Sequence, residues 1–187
     1  MRIIAGRWRG RRLVSFKADH IRPTTDRVKE SVFNRWQALW EGARVLDLYA
    51  GTGNLGLEAL SRGAREVVAV ELNPKSIEII RKNVEELEVG REHRVIRDEV
   101  VKFLNRYTGE GFDLILADPP FTESLAHETL LALSGSKVLK PGTQIMIEAS
   151  SHERVEAEYP PLVEELRRDY GDKQLSFWTL PETAHVE

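Results

Sequence analysis

The chain has 187 residues, of which 41% are hydrophobic and 30% are charged, with a net charge of −3 and no cysteine. This composition predicts one folded domain and excludes disulfide bonds and thiolate metal sites. No apolar stretch approaches the roughly 18 residues of a membrane span. The N-terminal segment lacks the apolar region of a secretory signal. We therefore expect a cytoplasmic protein.

The charge is distributed unevenly along the chain. Residues 1–35 contain ten Lys and Arg side chains against three acidic ones, so this segment carries +7 while the remainder is acidic. A basic arm on an acidic body suggests a polyanionic partner; the alternative is a solvated, charged terminus. We predict a basic arm and helix over residues 1–42 and a second unit over residues 43–187.

The sequence of residues 1–42 predicts a β-hairpin followed by a helix. Two short apolar runs flank a middle rich in Gly and Arg, a pattern typical of two paired strands. The helix is predicted over residues 22–40, because a proline and a Thr pair suited to an N-cap precede one apolar stripe. This stripe should face the core while the basic first turn points outward. Its members are Val28, Val32, Phe33, Trp36, Leu39 and Trp40.

From residue 43 onward, short apolar runs alternate with amphipathic stretches. They predict strands at 44–50, 66–72, 93–99, 112–120 and 143–150, and helices at 54–63, 73–90, 100–107 and 122–135. Asn73 is expected to cap the second of these helices and Gly90 to stop it. Residues 166–180 predict an antiparallel hairpin that turns at Gly171 and Asp172.

This alternation indicates a doubly wound, Rossmann-like α/β fold with a mostly parallel sheet covered on both faces. Ligands bind such a sheet beyond the carboxyl ends of its strands. The residues of interest therefore lie at 47–53, 71–73, 98 and 118–121.

A glycine loop follows the first predicted strand. Gly51, Gly53 and Gly56 form a G-x-G-x-x-G pattern, and Glu71 ends the next strand 20 residues after Gly51. In this arrangement the glycines let the backbone approach a ligand, and the acid accepts from ribose hydroxyls. The pattern predicts an adenosine-type cofactor; the alternative is a tight turn with an unoccupied helix N-terminus.

An acid beside the loop decides which cofactor we predict. Asp47, four residues before Gly51, would repel a pyrophosphate and attract a cation. S-adenosylmethionine carries an ammonium and a sulfonium and no phosphate, so Asp47 would bind its ammonium directly or through water. Asp98 would accept from the adenine amine, although either acid could instead be a cap or a solvated side chain. The predicted cofactor site comprises Asp47, Tyr49, Ala50, Gly51, Gly53, Glu71, Leu72, Asp98 and Glu99.

The fourth strand ends in the sequence Asp-Pro-Pro-Phe. Exocyclic amines of nucleobases are poor nucleophiles, because their lone pairs delocalise into the ring. The Asp118 carboxylate and the Pro119 carbonyl would accept from such an amine, on a backbone that the prolines fix. A base flipped out of its helix would stack on Phe121. The predicted catalytic residues are Asp118, Pro119, Pro120 and Phe121; the alternative is a strand-ending turn with Phe121 in the core.

The arm and the linker that follows it carry the predicted RNA contacts. Arginines bind phosphates and stack on bases, and an aromatic ring among them can stack too. The Thr pair of the linker could instead be only a helix cap. The predicted RNA-binding residues are Arg7, Trp8, Arg9, Arg11, Arg12, Arg22, Thr24, Thr25 and Arg27. We expect no metal site, because the five histidines lack ligand spacing.

These motifs resemble a known family. The glycine loop, Glu71, Asp98 and the Asp-Pro-Pro-Phe turn are similar to those of class I S-adenosylmethionine-dependent methyltransferases that act on amino groups. Residues 1–13, 22–34, 47–64 and 117–121 resemble the bacterial 16S ribosomal RNA guanine-N2 methyltransferase family, and the match runs over essentially the whole chain. Tyr49 departs from the wider superfamily, where a glycine is common.

The resemblance implies a seven-stranded sheet with a terminal hairpin, S-adenosylmethionine as cofactor, and methyl transfer to guanine N2 of small-subunit ribosomal RNA, naked or within a subunit particle. We expect a monomer. Three alternatives stay open. They are a nicotinamide-dependent oxidoreductase, an amino methyltransferase of DNA adenine or protein amide, and a non-catalytic RNA-binding module.

Overall fold

Seven strands form one sheet in the computed structural model, which describes residues 1–15, 26–121, 125–153, 155–156 and 158–182, with residues 26–28 described by their backbone alone. The strands are β1 (Arg44–Leu48), β2 (Glu66–Glu71), β3 (His93–Arg97), β4 (Leu114–Ala117), β5 (Gln144–Ser150), β6 (Val163–Tyr170) and β7 (Lys173–Thr179). The helices are α1 (Asp26–Arg35), α2 (Asn54–Ser61), α3 (Pro74–Glu86), α4 (Val100–Arg106) and α5 (Leu125–Ser134). In the part of the chain described, no helix has the length and apolar character to cross a membrane.

The strand order is β3-β2-β1-β4-β5-β7-β6. Strands β1 to β5 pair in parallel, and β7 lies antiparallel between β5 and β6. The chain reverses its direction of travel across the sheet between β1 and β4, which is where doubly wound folds bind ligands. The predicted fold class, including the C-terminal antiparallel hairpin, is confirmed.

Apolar clusters cover both faces of the sheet. On one face, Val45 and Leu116 belong to a buried cluster that includes Trp36, which lies just beyond α1. On the other face, Leu46 and Ile115 belong to a cluster with buried side chains of α4 and α5. Every residue of β1 and β4 is buried, which explains why these strands are mainly apolar rather than alternating, with Arg44 and Asp47 of β1 as the charged exceptions.

The N-terminal arm is docked on α2 and folds back on itself as a short, irregular hairpin. Its ends are joined by one antiparallel bridge between Arg2 and Arg12. The two halves also exchange backbone hydrogen bonds, from the Ile3 N–H to the Arg11 carbonyl and from the Gly10 N–H to the Ile3 carbonyl, both at 2.9 Å.

The first half of the arm bonds to α2 as well, because the backbone N–H groups of residues 4 and 5 donate to Glu58 and that of residue 7 donates to the Ser61 carbonyl. Gly6 permits this approach: a Cβ atom there would lie 1.7 Å from the Ser61 carbonyl oxygen. The predicted hairpin is therefore present in a short form, with one bridge and a few hydrogen bonds between its halves, and it is held against α2.

Helix α1 ends earlier than predicted and buries a lysine. Leu39, expected in the apolar stripe, lies beyond the helix and is 45% exposed. The expectation that the basic first turn points outward is wrong for Lys29, which is 1% exposed. Its ammonium pairs with the Glu58 carboxylate at 2.7 Å. The lysine is buried because α2 and the arm surround it with acceptors.

Helix α3 begins as predicted and ends before the predicted stop. The Asn73 side chain accepts from the backbone N–H of Lys75 at 2.9 Å, which confirms the N-cap. The helix ends at Glu86, and Glu88 adopts the left-handed conformation with φ +55°. Gly90 is therefore not the residue that stops the helix, because the left-handed position falls two residues earlier.

Candidate active site

A cavity of about 1330 Å³ opens where β1, β2, β4 and β5 end. The glycine loop, the ends of β2 and β3, and the Asp-Pro-Pro-Phe turn all border it, so the structure brings the predicted cofactor and catalytic residues together. The predicted residues on its lining are Asp47, Tyr49, Ala50, Gly51, Glu71, Leu72, Asp98, Glu99, Asp118, Pro119, Pro120 and Phe121. Gly53 is not on the lining; it is the N-cap residue of α2.

Three carboxylates of the cavity project from the same face of the sheet. The register pairs Asp47 with Ala69 on one side and with Leu116 on the other. Residues two apart on a strand point to the same face. Glu71 and Asp118, two positions beyond Ala69 and Leu116, therefore lie in one row with Asp47.

Glu71 fixes the shape of the glycine loop. Its Oε2 accepts from the Gly51 backbone N–H at 2.8 Å, and its Oε1 accepts from that of Asn73 at 2.7 Å. Gly51 has φ +57°, a left-handed conformation that a glycine adopts without strain. Each carboxylate oxygen has a second lone pair, so these bonds leave acceptor capacity for a ligand.

For Glu71→Ala we expect the affinity for S-adenosylmethionine to fall about 10- to 100-fold, because the variant loses a ribose acceptor and leaves two loop N–H groups unpaired. Isothermal titration calorimetry measures this change. Glu78→Ala is the matched control, since Glu78 is exposed on α3 and does not line the cavity. Equal affinities for Glu71→Ala and the unmodified protein would contradict the ribose role.

Asp47 is a buried carboxylate beside the glycine loop. It is 1% exposed, and its Oδ2 accepts from the Gly56 backbone N–H at 3.0 Å. A Cβ atom at Gly56 would lie 2.9 Å from this oxygen, so the third glycine of the loop makes room for the contact. Burial raises the pKa of Asp47 to about 7; the Gly56 bond opposes the rise, and the charges of Asp118 and Glu71 add to it. A cationic ligand would therefore stabilise the ionised form.

We expect Asp47 to release a proton when the cofactor binds. With a pKa of about 7, this carboxyl is partly protonated at neutral pH, and a bound cation lowers the pKa, so binding releases protons near pH 7. Titration calorimetry in buffers of different ionisation enthalpy measures the release. The number of protons released per cofactor bound should be smaller in Asp47→Asn. Equal proton release by this variant and the unmodified protein would contradict a cation beside Asp47.

Asp98 and Glu99 follow β3 and are held by neighbouring groups. Asp98 accepts from the Glu99 backbone N–H at 2.9 Å and pairs with Arg106 of α4. The Glu99 side chain pairs with Lys102 at 2.9 Å. The N-cap residue of α4 is Glu99, without a capping hydrogen bond from its side chain, so Asp98 borders the cavity but is not the helix cap that was the alternative from the sequence.

Tyr49 joins the glycine loop to helix α5. Its backbone has φ +58°, and its hydroxyl lies 2.8 Å from the Thr129 Oγ1 atom. Burial raises the pKa of the Tyr49 phenol, so the hydroxyl stays protonated and available as a donor. Because α5 follows the Asp-Pro-Pro-Phe turn in the chain, this contact connects the two predicted halves of the site.

The Asp-Pro-Pro-Phe turn presents its aromatic ring to solvent. The Asp118 backbone N–H donates to the Leu48 carbonyl at 3.4 Å, which keeps the turn beside the end of β1. Phe121 is 46% exposed, so the alternative in which it is a core residue is wrong. The Lys173 ammonium lies 5.0 Å from the centroid of its ring.

Three charged residues on the lining were missed from the sequence: Arg97 at the end of β3, Glu148 and Lys173. Glu148 of β5 is 1% exposed and pairs with Lys173 of β7. Burial raises the pKa of Glu148 to about 7; the charge of Asp118 adds to the rise and Lys173 opposes it. An acid inside the apolar run 143–150 was a usable signal for Glu148. Lys173 had none, because its place depends on the register of the hairpin.

The predicted RNA-binding residues of the arm do not line the cavity. The four arginines among them are exposed, whereas Trp8 is half-buried and packs against a core cluster. The Arg7 guanidinium lies 3.8 Å from the Trp8 ring centroid and pairs with Glu92 at 2.8 Å. Arg11 donates to the Glu86 carbonyl at 2.7 Å. Arg9 and Arg12 are also exposed.

The linker contacts predicted from the sequence are not tested. Arg22, Thr24 and Thr25 lie outside the described residues, and the side chain of Arg27 does too. Within the described ranges, no group of His, Asp and Glu side chains could hold a metal ion.

A family model described as Conserved hypothetical protein 95 matches residues 1–179. The chain belongs to this family. Among relatives, it is 39% identical to Ribosomal RNA small subunit methyltransferase D of Haemophilus influenzae over 150 residues, covering 79% of this chain and 78% of the relative. It is 37% identical to the protein of the same name from Escherichia coli K12 over 149 residues, covering 80% and 74%.

A solved structure supports the same assignment. The Escherichia coli protein yhhF has a TM-score of 0.87 to this chain at 31% identity, with 98% of this chain and 99% of that chain covered. The match of the Conserved hypothetical protein 95 model includes the N-terminal arm. The family resemblance that the motifs predicted is therefore confirmed.

Proposed function

We propose that this protein transfers a methyl group from S-adenosylmethionine to the N2 amine of a guanine in small-subunit ribosomal RNA. One observation carries the proposal: Asp47, Glu71 and Asp118 lie in a row on one sheet face at the edge of one cavity. The names of the relatives from Haemophilus influenzae and Escherichia coli support ribosomal RNA of the small subunit as the substrate.

The residues around the glycine loop suit a cationic adenosine derivative. Glu71 holds the loop and accepts from the ribose hydroxyls, Asp47 binds the ammonium, and Asp98 accepts from the adenine amine. Burial and the nearby charges of Asp118 and Glu71 already disfavour the ionised form of Asp47. A pyrophosphate beside this carboxylate would add a further repulsion. This charge distribution favours S-adenosylmethionine over a nicotinamide dinucleotide. When bound, S-adenosylmethionine supplies an electrophilic methyl group.

The Asp-Pro-Pro-Phe turn holds the target amine. The Asp118 carboxylate and the Pro119 carbonyl accept from the two N–H bonds of the amine, which favours a localised lone pair on nitrogen. The half-exposed ring of Phe121 stacks against the purine, a contact worth roughly 1–3 kcal/mol. Asp118 and Pro119 are preorganised because the two prolines restrict the backbone.

The arm binds the RNA around the target. Arg7, Arg9, Arg11 and Arg12 are exposed beside Trp8, so they suit phosphate contacts and stacking. We extend this role to the linker residues Arg22, Thr24, Thr25 and Arg27. The boundary at residue 42 thus separates an RNA-binding segment from the methyl-transfer unit, and the protein acts as a monomer on RNA or on a subunit particle.

Mapping of methylated guanines tests the proposed function. Small-subunit RNA from cells that lack the protein should lose N2-methylguanine at one position, and a plasmid copy of the gene should restore it. The purified protein should methylate this RNA, stripped or assembled, but not DNA or protein. Unchanged methylation in the deletion strain would contradict the proposal, as would a melting temperature that NAD raises and S-adenosylmethionine does not.

A further inference from the structure

We propose that Lys173 recognises the target base as guanine by donating to its O6 atom, and that Glu148 is the positioning residue that holds the Lys173 ammonium. This inference rests on the proposed function, because it concerns the base that the same site methylates. It assigns a role in substrate choice to the C-terminal hairpin.

The register of the sheet places the pair beside Asp118. Ala117 of β4 is opposite Ile147 of β5, so the next residues, Asp118 and Glu148, are neighbours at the ends of these parallel strands. Glu148 is opposite Leu175 of β7, and Lys173 lies two positions before Leu175. Glu148 and Lys173 therefore share one face, and this face carries Asp118.

The row of polar groups runs from the cofactor end of the cavity to its far end. Asp47 and Glu71 belong to β1 and β2, Asp118 follows β4, and Glu148 and Lys173 belong to β5 and β7. All five line the cavity. With the cofactor over β1 and β2 and the amine at Asp118, the rest of the purine lies toward β5 and β7.

Phe121 brings the base within reach of the lysine. The Lys173 ammonium is 5.0 Å from the centroid of the Phe121 ring, and this ring is the predicted stacking surface. Asp118 follows β4 and Lys173 begins β7, with β5 between them, so the two positions are separated by two strand spacings of about 4.8 Å each. The Watson–Crick edge of a purine, extended by a hydrogen bond of about 2.9 Å at each end, spans a comparable distance. A base whose amine bonds to Asp118 can therefore present the other end of the same edge to Lys173.

The hydrogen-bonding groups at the two ends of the Watson–Crick edge distinguish guanine from other purines. Guanine carries its amine at position 2 and an acceptor oxygen at position 6, whereas an ammonium group only donates. A purine with an amine at position 6 would place a donor against the ammonium. Asp118 and Lys173 thus form an acceptor and a donor spaced for the N2 and O6 atoms of guanine.

Glu148 keeps the ammonium in place. It is 1% exposed and pairs with Lys173, whose side chain is 8% exposed, so neither partner is free to move into solvent. Burial, together with the nearby charge of Asp118, raises the pKa of Glu148 to about 7, whereas Lys173 opposes the rise. Loss of either partner alone would leave a buried charge, so the test uses a paired substitution.

The experiment compares two bases at the mapped target position. A small-subunit RNA is assembled by ligation with either guanosine or 2,6-diaminopurine riboside at that position, which keeps the N2 amine and replaces O6 by an amine. We expect the unmodified protein to favour guanosine by about 10- to 100-fold in kcat/KM. The double variant Lys173→Met/Glu148→Gln should lower this preference to within a factor of about 3, chiefly through lost activity on guanosine.

Two further variants separate recognition from folding. Lys173→Arg keeps a donor and should keep a preference for guanosine, and Lys140→Met, outside the cavity, should behave as the unmodified protein. All variants should bind S-adenosylmethionine with unchanged affinity. An unchanged preference in the double variant, or no preference in the unmodified protein, would overturn the inference and leave the proposed function standing. Methylation of a different base would overturn both.

Discussion

Asp118→Ala should bind S-adenosylmethionine normally and lose at least about 10³-fold in kcat for methyl transfer, equivalent to about 4 kcal/mol of transition-state stabilisation. The variant removes the acceptor that orients the amine and favours its localised lone pair. The cofactor contacts at Glu71 and Asp47 stay in place. Single-turnover transfer of a labelled methyl group measures the chemical step, and calorimetry measures cofactor affinity.

Asp118→Asn is the matched control for this prediction. It keeps an acceptor oxygen in the same position and removes only the charge, so we expect it to retain more activity than Asp118→Ala. It should also lower the pKa of Glu148, because the charge of Asp118 contributes to raising that pKa. Turnover by Asp118→Ala at the rate of the unmodified protein would remove Asp118 from the mechanism.

The largest effect on stability is expected at the junction of the arm with α2. Glu58 is fully buried, and its carboxylate accepts from Lys29 at 2.7 Å, from Arg62 at 2.8 Å and from the backbone N–H groups of Ile4 and Ala5 at 2.8 and 3.0 Å. Burial alone would raise the pKa of Glu58, but the charge and hydrogen bond of Lys29, followed by the other donors, lower it below 4.5. The ionised Glu58 therefore stabilises the folded state at pH values above its ordinary pKa of 4.5, and this contribution is lost as the pH falls through the lower folded-state pKa.

Glu58→Gln should lower the free energy of unfolding by about 3–5 kcal/mol, because it leaves Lys29 charged and buried without its counter-ion. Urea unfolding measures the loss. Lys29→Met/Glu58→Gln should recover part of it, and the cycle isolates the pair. Glu165→Gln is the control, since Glu165 pairs with Arg35 at 2.8 Å on the surface, where such pairs contribute about 0–1 kcal/mol. Equal losses of unfolding free energy in Glu58→Gln and Glu165→Gln would contradict this explanation.

The fold was predictable because its signals are local. The apolar runs gave the order of strands and helices, and the turn at Gly171 and Asp172 gave the hairpin. That Glu71 and Asp118 border one cavity was predictable because parallel strands bring their carboxyl ends to one edge, whatever the order of the strands. A general rule about parallel sheets was therefore enough to place these two residues without knowledge of their individual contacts.

The rest depended on contacts between distant segments. The pattern of its own helix predicts that Lys29 is exposed. Its burial depends on Glu58, which lies 29 residues later in the chain. Lys173 enters the site because of the register of β7 on β5, which turn chemistry does not specify from sequence alone. The two apolar runs around the Gly- and Arg-rich middle predict a hairpin in the arm, but not its docking on α2, because the acceptors Glu58 and Ser61 lie more than 50 residues later.

The most direct measurement is a crystal structure of the protein with S-adenosylmethionine bound. We expect the ribose hydroxyls to contact Glu71, the ammonium to lie beside Asp47, and the methyl carbon to point into the space bordered by Asp118 and Phe121. A bound donor whose methyl carbon faces away from those two side chains would contradict the account at its centre.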